Sequence, residues 1–157
     1  MTDHRGPEDP ESPEGAGRIL VLTETGATRR APLPERLNQL THAVIGAAIE
    51  VHRVLGPGLL ESVYEKALAI ELGDRELRFV RQPIVPLFYK GQPIGEGRLD
   101  FLIENELVVE LKAIEAILGL HEAQVISYLK TTGFPLALLI NFNVPILRDG
   151  IRRIVRA

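Results

Sequence analysis

The chain of 157 residues contains no cysteine, so it cannot form disulfide bonds, zinc-thiolate sites or a cysteine nucleophile. The absence of thiols is compatible with a reducing compartment, and we expect a cytoplasmic location. Basic residues are not in excess either, because 18 lysines and arginines face 21 acidic residues and the formal net charge is −3. Binding a nucleic acid would therefore require a local basic patch or a bridging cation.

Long apolar runs are also missing. The most hydrophobic helical segment, residues 43–55, contains Glu50, His52 and Arg53 and is too short to cross a bilayer. The N-terminus lacks the basic and apolar blocks of a signal peptide, and we predict no membrane segment. The HEAQV segment that begins at His121 lacks the second histidine of a zinc-protease HExxH site. We expect His52 and His121 to form structural hydrogen bonds, and the alternative is that either residue lines the functional site.

Five of the eleven prolines lie in the first 34 residues, together with several acidic residues. This composition predicts a flexible tail over residues 1–35, in which RILVLTE can form a short strand, and a folded domain over residues 36–157. Apolar residues recur at three- and four-residue steps from Leu37 to Leu55 and predict an amphipathic helix that ends at a GPG turn. A second helical pattern follows in LLESVYEKALAIEL.

The second half of the domain changes between strand and helix patterns. Residues 77–113 are rich in β-branched and aromatic residues with Gly and Asn turns, which predicts three strands, or four. The segment EAILGLHEAQVISYLKTTG returns to helical spacing, FPLALLINF is typical of a strand buried on both faces, and IRRIVRA fits an edge strand. This order predicts an α/β fold of the mixed α+β type, with a mixed central sheet flanked by helices and an extra N-terminal helix.

Charged residues interrupt the strand pattern GRLDFLIENELVVELKA at residues 97–113. Side chains alternate between the two faces of a strand, so Glu110 and Lys112 share one face, while the opposite face is wholly apolar. If ENE forms a three-residue loop, Asp100 lies directly across from Glu110, whereas a two-residue loop would put them on opposite faces. Asn105 tolerates a left-handed backbone and favours the three-residue loop.

Two carboxylates about 5 Å apart repel each other unless a positive charge lies between them. A divalent cation supplies that charge, and ligands that are all oxygen favour Mg²⁺ or Mn²⁺ over zinc. Lys112 would then lie beside the cation, where an ammonium group stabilises negative charge on a phosphoryl group. The alternative is an ion pair of Lys112 with Asp100 or Glu110 on a solvated face of the sheet.

Two helical segments offer further polar residues. Glu61 shares a helical face with Tyr64 and can point into the same site, or it can act as a first-turn acid at a helix N-terminus. Gln124 and Tyr128 are four residues apart and share a helical face. They can lie beside the site or form an ordinary polar pair at its rim.

In combination these residues resemble the GxxExxY family, a branch of the PD-(D/E)XK nuclease-like superfamily. Gly58, Glu61 and Tyr64 complete the motif that names the family. Asp100, followed by the E-L-K of residues 110–112, matches the signature of the superfamily. The HEAQVISYLK and LLINF segments resemble the downstream half of the family.

The resemblance covers roughly residues 36–156 and implies a restriction-endonuclease-like αβββαβ core that hydrolyses phosphodiester bonds in DNA or RNA with Mg²⁺ or Mn²⁺. Leu99 stands where the superfamily's name has proline, a residue that the metal chemistry does not need. The residues that the resemblance implicates in catalysis are Asp100, Glu110, Lys112, Glu61, Gln124 and Tyr128. The three carboxylates among them are the implied metal ligands.

Membership of such a family does not itself establish cleavage, because fold and function separate readily. The alternative function is a weakly active or inactive module that binds nucleic acid, or regulates another process, while retaining the nuclease fold. A partner protein or a second copy of the chain can assist so short a domain, and no segment identifies one.

Basic residues cluster towards the C-terminus and allow two interpretations. They can bind the phosphates of a nucleic acid, or they can charge an exposed edge strand and so discourage aggregation. The residues are Lys130, Arg148, Arg152, Arg153 and Arg156.

Overall fold

The computed structural model describes residues 20–22, 28–30 and 32–157. The chain divides into two units, Met1–Pro32 and Leu33–Ala157. In the first unit, an antiparallel pair consists of β1 (Leu20–Leu22) and β2 (Thr28–Arg30), so the strand predicted in RILVLTE is present. Residues 1–19, 23–27 and 31 of the tail predicted over residues 1–35 lie outside the described residues, and the flexibility of the tail stays a prediction.

The second unit contains three α-helices, seven strands and a short 3₁₀ helix within its described residues. The helices are α1 (Glu35–Leu55), α2 (Glu61–Asp74), α3 (Gly119–Thr132) and the 3₁₀ helix at Leu147–Gly150. The strands are β3 (Phe79–Arg81), β4 (Ile84–Tyr89), β5 (Gln92–Arg98), β6 (Phe101–Ile103), β7 (Leu107–Lys112), β8 (Leu136–Asn141) and β9 (Ile151–Val155). None of the described helices has the length and apolarity that a membrane span requires.

Five of these strands form one mixed sheet in the order β3-β6-β7-β8-β9. The pair β7 and β8 is parallel and the other neighbours are antiparallel, which confirms the predicted mixed sheet and αβββαβ core, with α1 as the extra N-terminal helix. Five strands, rather than three or four, lie between α2 and α3, because β4 and β5 form a separate hairpin. Its two-residue turn at Lys90 and Gly91 has positive φ angles of 48° and 77°, as such hairpins require.

Helices cover both faces of the sheet. Side chains of α1 and α2, such as Val44 and Leu68, pack against one face, and Val125 and Leu129 of α3 belong to the cluster on the other face. Every residue of β8 is buried, as predicted for a strand covered on both sides. Strand β9 lies at the edge of the sheet, as predicted.

The turn between β6 and β7 sets the register of the two strands. Ile103 pairs with Leu107, so ENE is the predicted three-residue loop, and Glu104 and Asn105 have φ angles of 49° and 59°. The buried partners Phe101 and Val109 lie in the core formed with α1 and α2, on the face of β7 that was predicted to be wholly apolar. Continuing this register by one residue brings the chain before β6 alongside the charged end of β7.

Candidate active site

Asp100 and Glu110 hold each other's strands by reciprocal hydrogen bonds. The Asp100 N–H donates to Glu110 Oε1 at 3.0 Å, and the Leu111 N–H donates to Asp100 Oδ2 at 2.7 Å. Each carboxylate therefore accepts a main-chain N–H from the neighbouring strand segment. The structure brings together the two carboxylates that the three-residue loop predicted to be neighbours.

Glu110 is only 8% exposed, and Asp100 is half-buried. Burial, reinforced by the negative charge of Asp100, raises the pKa of Glu110 to about 8. Burial also raises the pKa of Asp100, with Glu65 adding to that effect, although the hydrogen bond from Leu111 opposes it. A pair with such pKa values needs a proton or a cation to compensate its charge at neutral pH.

Lys112 lies at the end of β7, beyond Glu110. Its positive charge acts to lower the pKa of Asp100, of Glu110 and of Glu61, which places it within electrostatic reach of all three carboxyl groups. Within the described residues, however, Lys112 forms no ion pair within 4.0 Å with any of them. The alternative prediction, a structural ion pair with Asp100 or Glu110, is therefore not observed.

Glu61 is the first residue of α2, so its carboxylate also benefits from the positive end of the helix dipole. Burial is the main cause that raises the pKa of Glu61, and the negative charge of Asp100 is the next. Glu61 is therefore a first-turn acid whose carboxyl feels the charge of Asp100, and its predicted role as a metal ligand stays a prediction.

Tyr64 explains why the GxxExxY spacing positions Glu61. Its hydroxyl donates to the Gly56 carbonyl oxygen at 2.6 Å and accepts from the Leu59 N–H at 3.1 Å. The buried ring stacks on Phe142 with 4.5 Å between ring centroids. The tyrosine thus ties the loop between α1 and α2 to the core and sets where α2, and hence Glu61, begins.

Tyr128 and Gln124 behave differently, although they share helix α3. The ring of Tyr128 lies directly on Gly97, where a Cβ atom would collide with it, so Tyr128 contacts β5 three residues before Asp100. Gln124 is exposed and forms no hydrogen bond with the described residues. The structure brings Tyr128 close to the chain that carries Asp100, whereas Gln124 forms no hydrogen bond with the charged residues that the structure describes.

Three polar residues near the pair were not predicted as site residues. Glu65 is 8% exposed and accepts two hydrogen bonds from Gln82, while Asn141 is 1% exposed. Asn141 pairs with Lys112 in the sheet and bonds both the N–H and the carbonyl of Ile114, which holds the chain that leaves β7. Asn141 could have been found from the sequence, because it is a polar residue at the end of the apolar run LALLIN. No sequence pattern pointed to Gln82.

The two histidines of the family-like segments form structural hydrogen bonds, as expected. His52 Nε2 lies 2.8 Å from the carbonyl oxygen of Val144. His121 Nδ1 accepts from the Leu118 N–H at 2.9 Å, at the start of α3. Both histidines therefore support the fold at these contacts.

The basic residues of β9 do not form one patch. Arg152 and Arg153 are consecutive and project to opposite faces of the strand. Arg152 Nε lies 3.6 Å from a carboxylate oxygen of Glu122 in α3, and Arg153 Nη2 donates to Asn38 Oδ1 in α1 at 2.5 Å. These contacts tie the edge strand to a helix on each side of the sheet, which favours the interpretation as a charged edge.

The donor set of the pair fits a hard divalent cation. No group of three or more His, Asp or Glu side chains arranged to hold a metal occurs among the described residues. Asp100 and Glu110 alone supply two carboxylates, and Mg²⁺ is commonly bound through one or two carboxylates while it keeps several waters. A buried carboxylate and a half-buried one, neither of which forms an ion pair within the described residues, are the donors such a cation requires.

Comparison with known proteins places the chain in a family. A family model described as the PD-(D/E)XK nuclease superfamily matches residues 38–154. No curated protein matches the chain. Among solved structures, the crystal structure of SSO0001 aligns at 18% sequence identity and a TM-score of 0.42, over 76% of this chain and 58% of that one. Since the family model covers most of the chain, this protein belongs to the PD-(D/E)XK nuclease superfamily.

Proposed function

We propose that this protein is a nuclease that hydrolyses phosphodiester bonds in DNA or RNA with the help of Mg²⁺ or Mn²⁺. The observation that carries the proposal is the reciprocal hydrogen bonding of Asp100 and Glu110 beside the unpaired ammonium group of Lys112, as described above. Nuclease chemistry is the common activity of the superfamily to which the chain belongs.

The burial of the pair supports a role beyond folding. A buried carboxyl group costs stability when it is ionised without a partner, and the pKa of Glu110 is raised to about 8 for that reason. Folding alone would be served as well by apolar residues at these positions. We infer that Asp100 and Glu110 hold the cation and that Glu61, at the start of α2, completes the negative field around it.

Each remaining residue has a separate task in this proposal. Asp100 and Glu110 would hold the divalent cation, which would polarise a phosphoryl oxygen and lower the pKa of a bound water molecule. The Lys112 ammonium stabilises negative charge that develops on the phosphoryl oxygens. Tyr128 positions the chain before Asp100 through its contact with Gly97. Gln124, exposed on α3, is available to contact the nucleic acid.

The test combines cation binding with cleavage. Mg²⁺ and Mn²⁺ are titrated calorimetrically into wild type, Asp100→Asn and the control Asp149→Asn, which removes an exposed carboxylate from the 3₁₀ helix. The same proteins are then screened against linear, branched and single-stranded DNA and RNA. We expect saturable binding and cation-dependent cleavage for wild type and the control, and the loss of both in Asp100→Asn.

Two results would overturn the proposal. One is wild-type protein that neither binds the cations, with or without nucleic acid, nor cleaves any substrate. The other is cleavage that continues undiminished in Asp100→Asn. Tight nucleic-acid binding without cleavage would instead favour the inactive binding module.

A further inference from the structure

Gln82 adopts a backbone conformation that its residue type does not favour. It lies between β3 and β4, where the chain leaves the main sheet, and its φ angle is 51°. A left-handed conformation is uncommon for residues other than glycine, asparagine and aspartate. The Gln82 N–H donates to the Asp100 carbonyl oxygen at 2.8 Å. The strained residue therefore bonds directly to the main chain of a candidate metal ligand.

The side chain of Gln82 is held as firmly as its backbone. Its Nε2 donates to both carboxylate oxygens of Glu65, at 3.1 and 3.2 Å. Its Oε1 accepts a hydrogen bond from Arg98 Nη1 at 3.3 Å. Arg98 precedes Asp100 by two residues in the chain. One glutamine thus joins helix α2, the end of β5 and the main chain of Asp100.

Glu65 is committed to this network. It is 8% exposed, both of its oxygens accept from Gln82, and Arg81 Nη2 lies 3.6 Å from its Oε1. A buried carboxylate that is paired and hydrogen-bonded in this way has its charge compensated. Binding a cation directly would require it to give up hydrogen bonds that it already makes.

We propose that Gln82 and Glu65 are positioning residues: Glu65 anchors the Gln82 side chain, and Gln82 holds the main chain of Asp100 so that its carboxylate meets Glu110 and Leu111. The inference rests on the proposed nuclease function, because it assigns the support of that same carboxylate pair. Glu65 acts through Gln82 and does not contact the cation.

Conservative variants separate positioning from direct cation binding. Glu65→Gln keeps an oxygen that accepts from Gln82 Nε2, whereas Glu65→Ala removes it. Gln82→Gly keeps the main-chain N–H and tolerates the left-handed backbone, so it removes only the side-chain contacts. Glu71→Ala removes another glutamate of α2, one that pairs with Arg75, and serves as the matched control.

The first measurement is amide hydrogen exchange at Asp100 and Leu111 by NMR, with Val109 in the same strand as the internal reference. The loss of one hydrogen bond changes the equilibrium between the closed and the open state of an amide by roughly tenfold. We therefore expect about tenfold faster exchange at Asp100 and Leu111, both in Glu65→Ala and in Gln82→Gly. Exchange at Val109, and all three rates in Glu71→Ala, should stay at the wild-type value.

The second measurement is the Mg²⁺ affinity of the same proteins by calorimetry. We expect affinity to fall about tenfold in Glu65→Ala and Gln82→Gly, and by less than about twofold in Glu65→Gln, since its amide oxygen preserves the anchor. Equal losses in Glu65→Gln and Glu65→Ala, with unchanged amide exchange, would show that Glu65 is a cation ligand and would overturn the proposal.

Unchanged exchange at Asp100 and Leu111 in Gln82→Gly would also overturn the proposal. It would show that the contacts of the glutamine side chain do not hold the main chain of Asp100 in place. Amide exchange requires neither cation nor substrate. Wild-type protein that binds no cation and cleaves nothing would therefore refute the proposed function, while the exchange rates would still decide whether Gln82 and Glu65 position Asp100.

Discussion

The two faces of strand β7 are both shielded from solvent, yet they are built for different purposes. On one face Val109 and Leu111 are fully buried in the core formed with α1 and α2. On the other face Val108 is equally buried, but Glu110 and Lys112 follow it. Adjacent residues of one strand thus alternate between pure packing and charge.

The contrast separates stability from function. Burying an apolar side chain of this size contributes about 1.5–3 kcal/mol to folding. Burying a carboxylate whose pKa is raised, as that of Glu110 is, works against folding. The apolar face therefore stabilises the sheet, and part of that stability offsets the cost of burying the charged residues that we propose as the active site.

The largest expected effect is on the charged face. Lys112→Ala should lower the single-turnover cleavage rate by about 10²–10³-fold, because it removes the ammonium group that stabilises charge on the phosphoryl oxygens. Lys90→Ala, in the β4–β5 turn, is the matched control and should cleave at the wild-type rate. A rate for Lys112→Ala equal to wild type would mean that the assignment of Lys112 is wrong.

The apolar face should show the opposite pattern. Leu111→Ala should lower the free energy of unfolding by about 2–5 kcal/mol, because it leaves a cavity in the core that α1 and α2 cover. Urea denaturation measures the loss. Val80→Ala, at a side chain that is 55% exposed, is the control and should change stability far less. If both variants lost the same free energy of unfolding, the apolar face of β7 would not be the source of the stability of the sheet.

The pH dependence of stability is the next test. The carboxyl of Glu110 has an ordinary pKa of 4.5 and a folded-state pKa of about 8, so the folded state binds an extra proton between these values. Its contribution to stability is fully present below the unfolded pKa and is lost as the pH rises through the folded pKa.

In EDTA, the free energy of unfolding should therefore fall by a few kcal/mol as the pH rises from 5 to 8, a range chosen to span the shift. Glu110→Gln should flatten this slope, because it removes the titrating group. If the variant keeps the wild-type slope, Glu110 is not the group responsible.

The smallest effect is expected at the edge of the sheet. Arg153→Ala should lower the free energy of unfolding by less than about 1 kcal/mol, because the exposed arginine contributes one hydrogen bond to Asn38. Arg153 lies on the opposite face of the strand from Arg152, so the two arginines do not form one phosphate-binding patch. We therefore also expect the salt dependence of nucleic-acid binding to stay unchanged in Arg153→Ala. A flatter salt dependence would instead assign Arg153 to phosphate binding.

Several features of the site could be read from local sequence patterns. The length of the loop ENE predicted that Ile103 pairs with Leu107, because loop length determines the register of a hairpin. This register, together with the alternation of side chains, predicted that Asp100 lies next to Glu110. The spacing of Glu61 and Tyr64 placed both on one helical face. The GxxExxY subfamily, the cytoplasmic location and a partner protein or homodimer stay predictions.

Other features depend on how distant segments meet. The contact of Tyr128 with Gly97 and the bonds of Asn141 to Ile114 follow from the packing of α3 and β8, which no local pattern specifies. The β4–β5 hairpin reads as ordinary strand sequence, yet it forms its own sheet.

The sequence by itself determined the helices, the mixed fold and the charged residues of β7, but not the number of strands between α2 and α3, because helical and strand periodicities are local properties of the chain whereas strand pairing is not. Only the tertiary structure decided that Glu65 of α2 meets Gln82, 17 residues away, and that Gln82 holds Asp100. Such contacts depend on where a helix lies against a sheet, and that placement is set by the packing of the whole core.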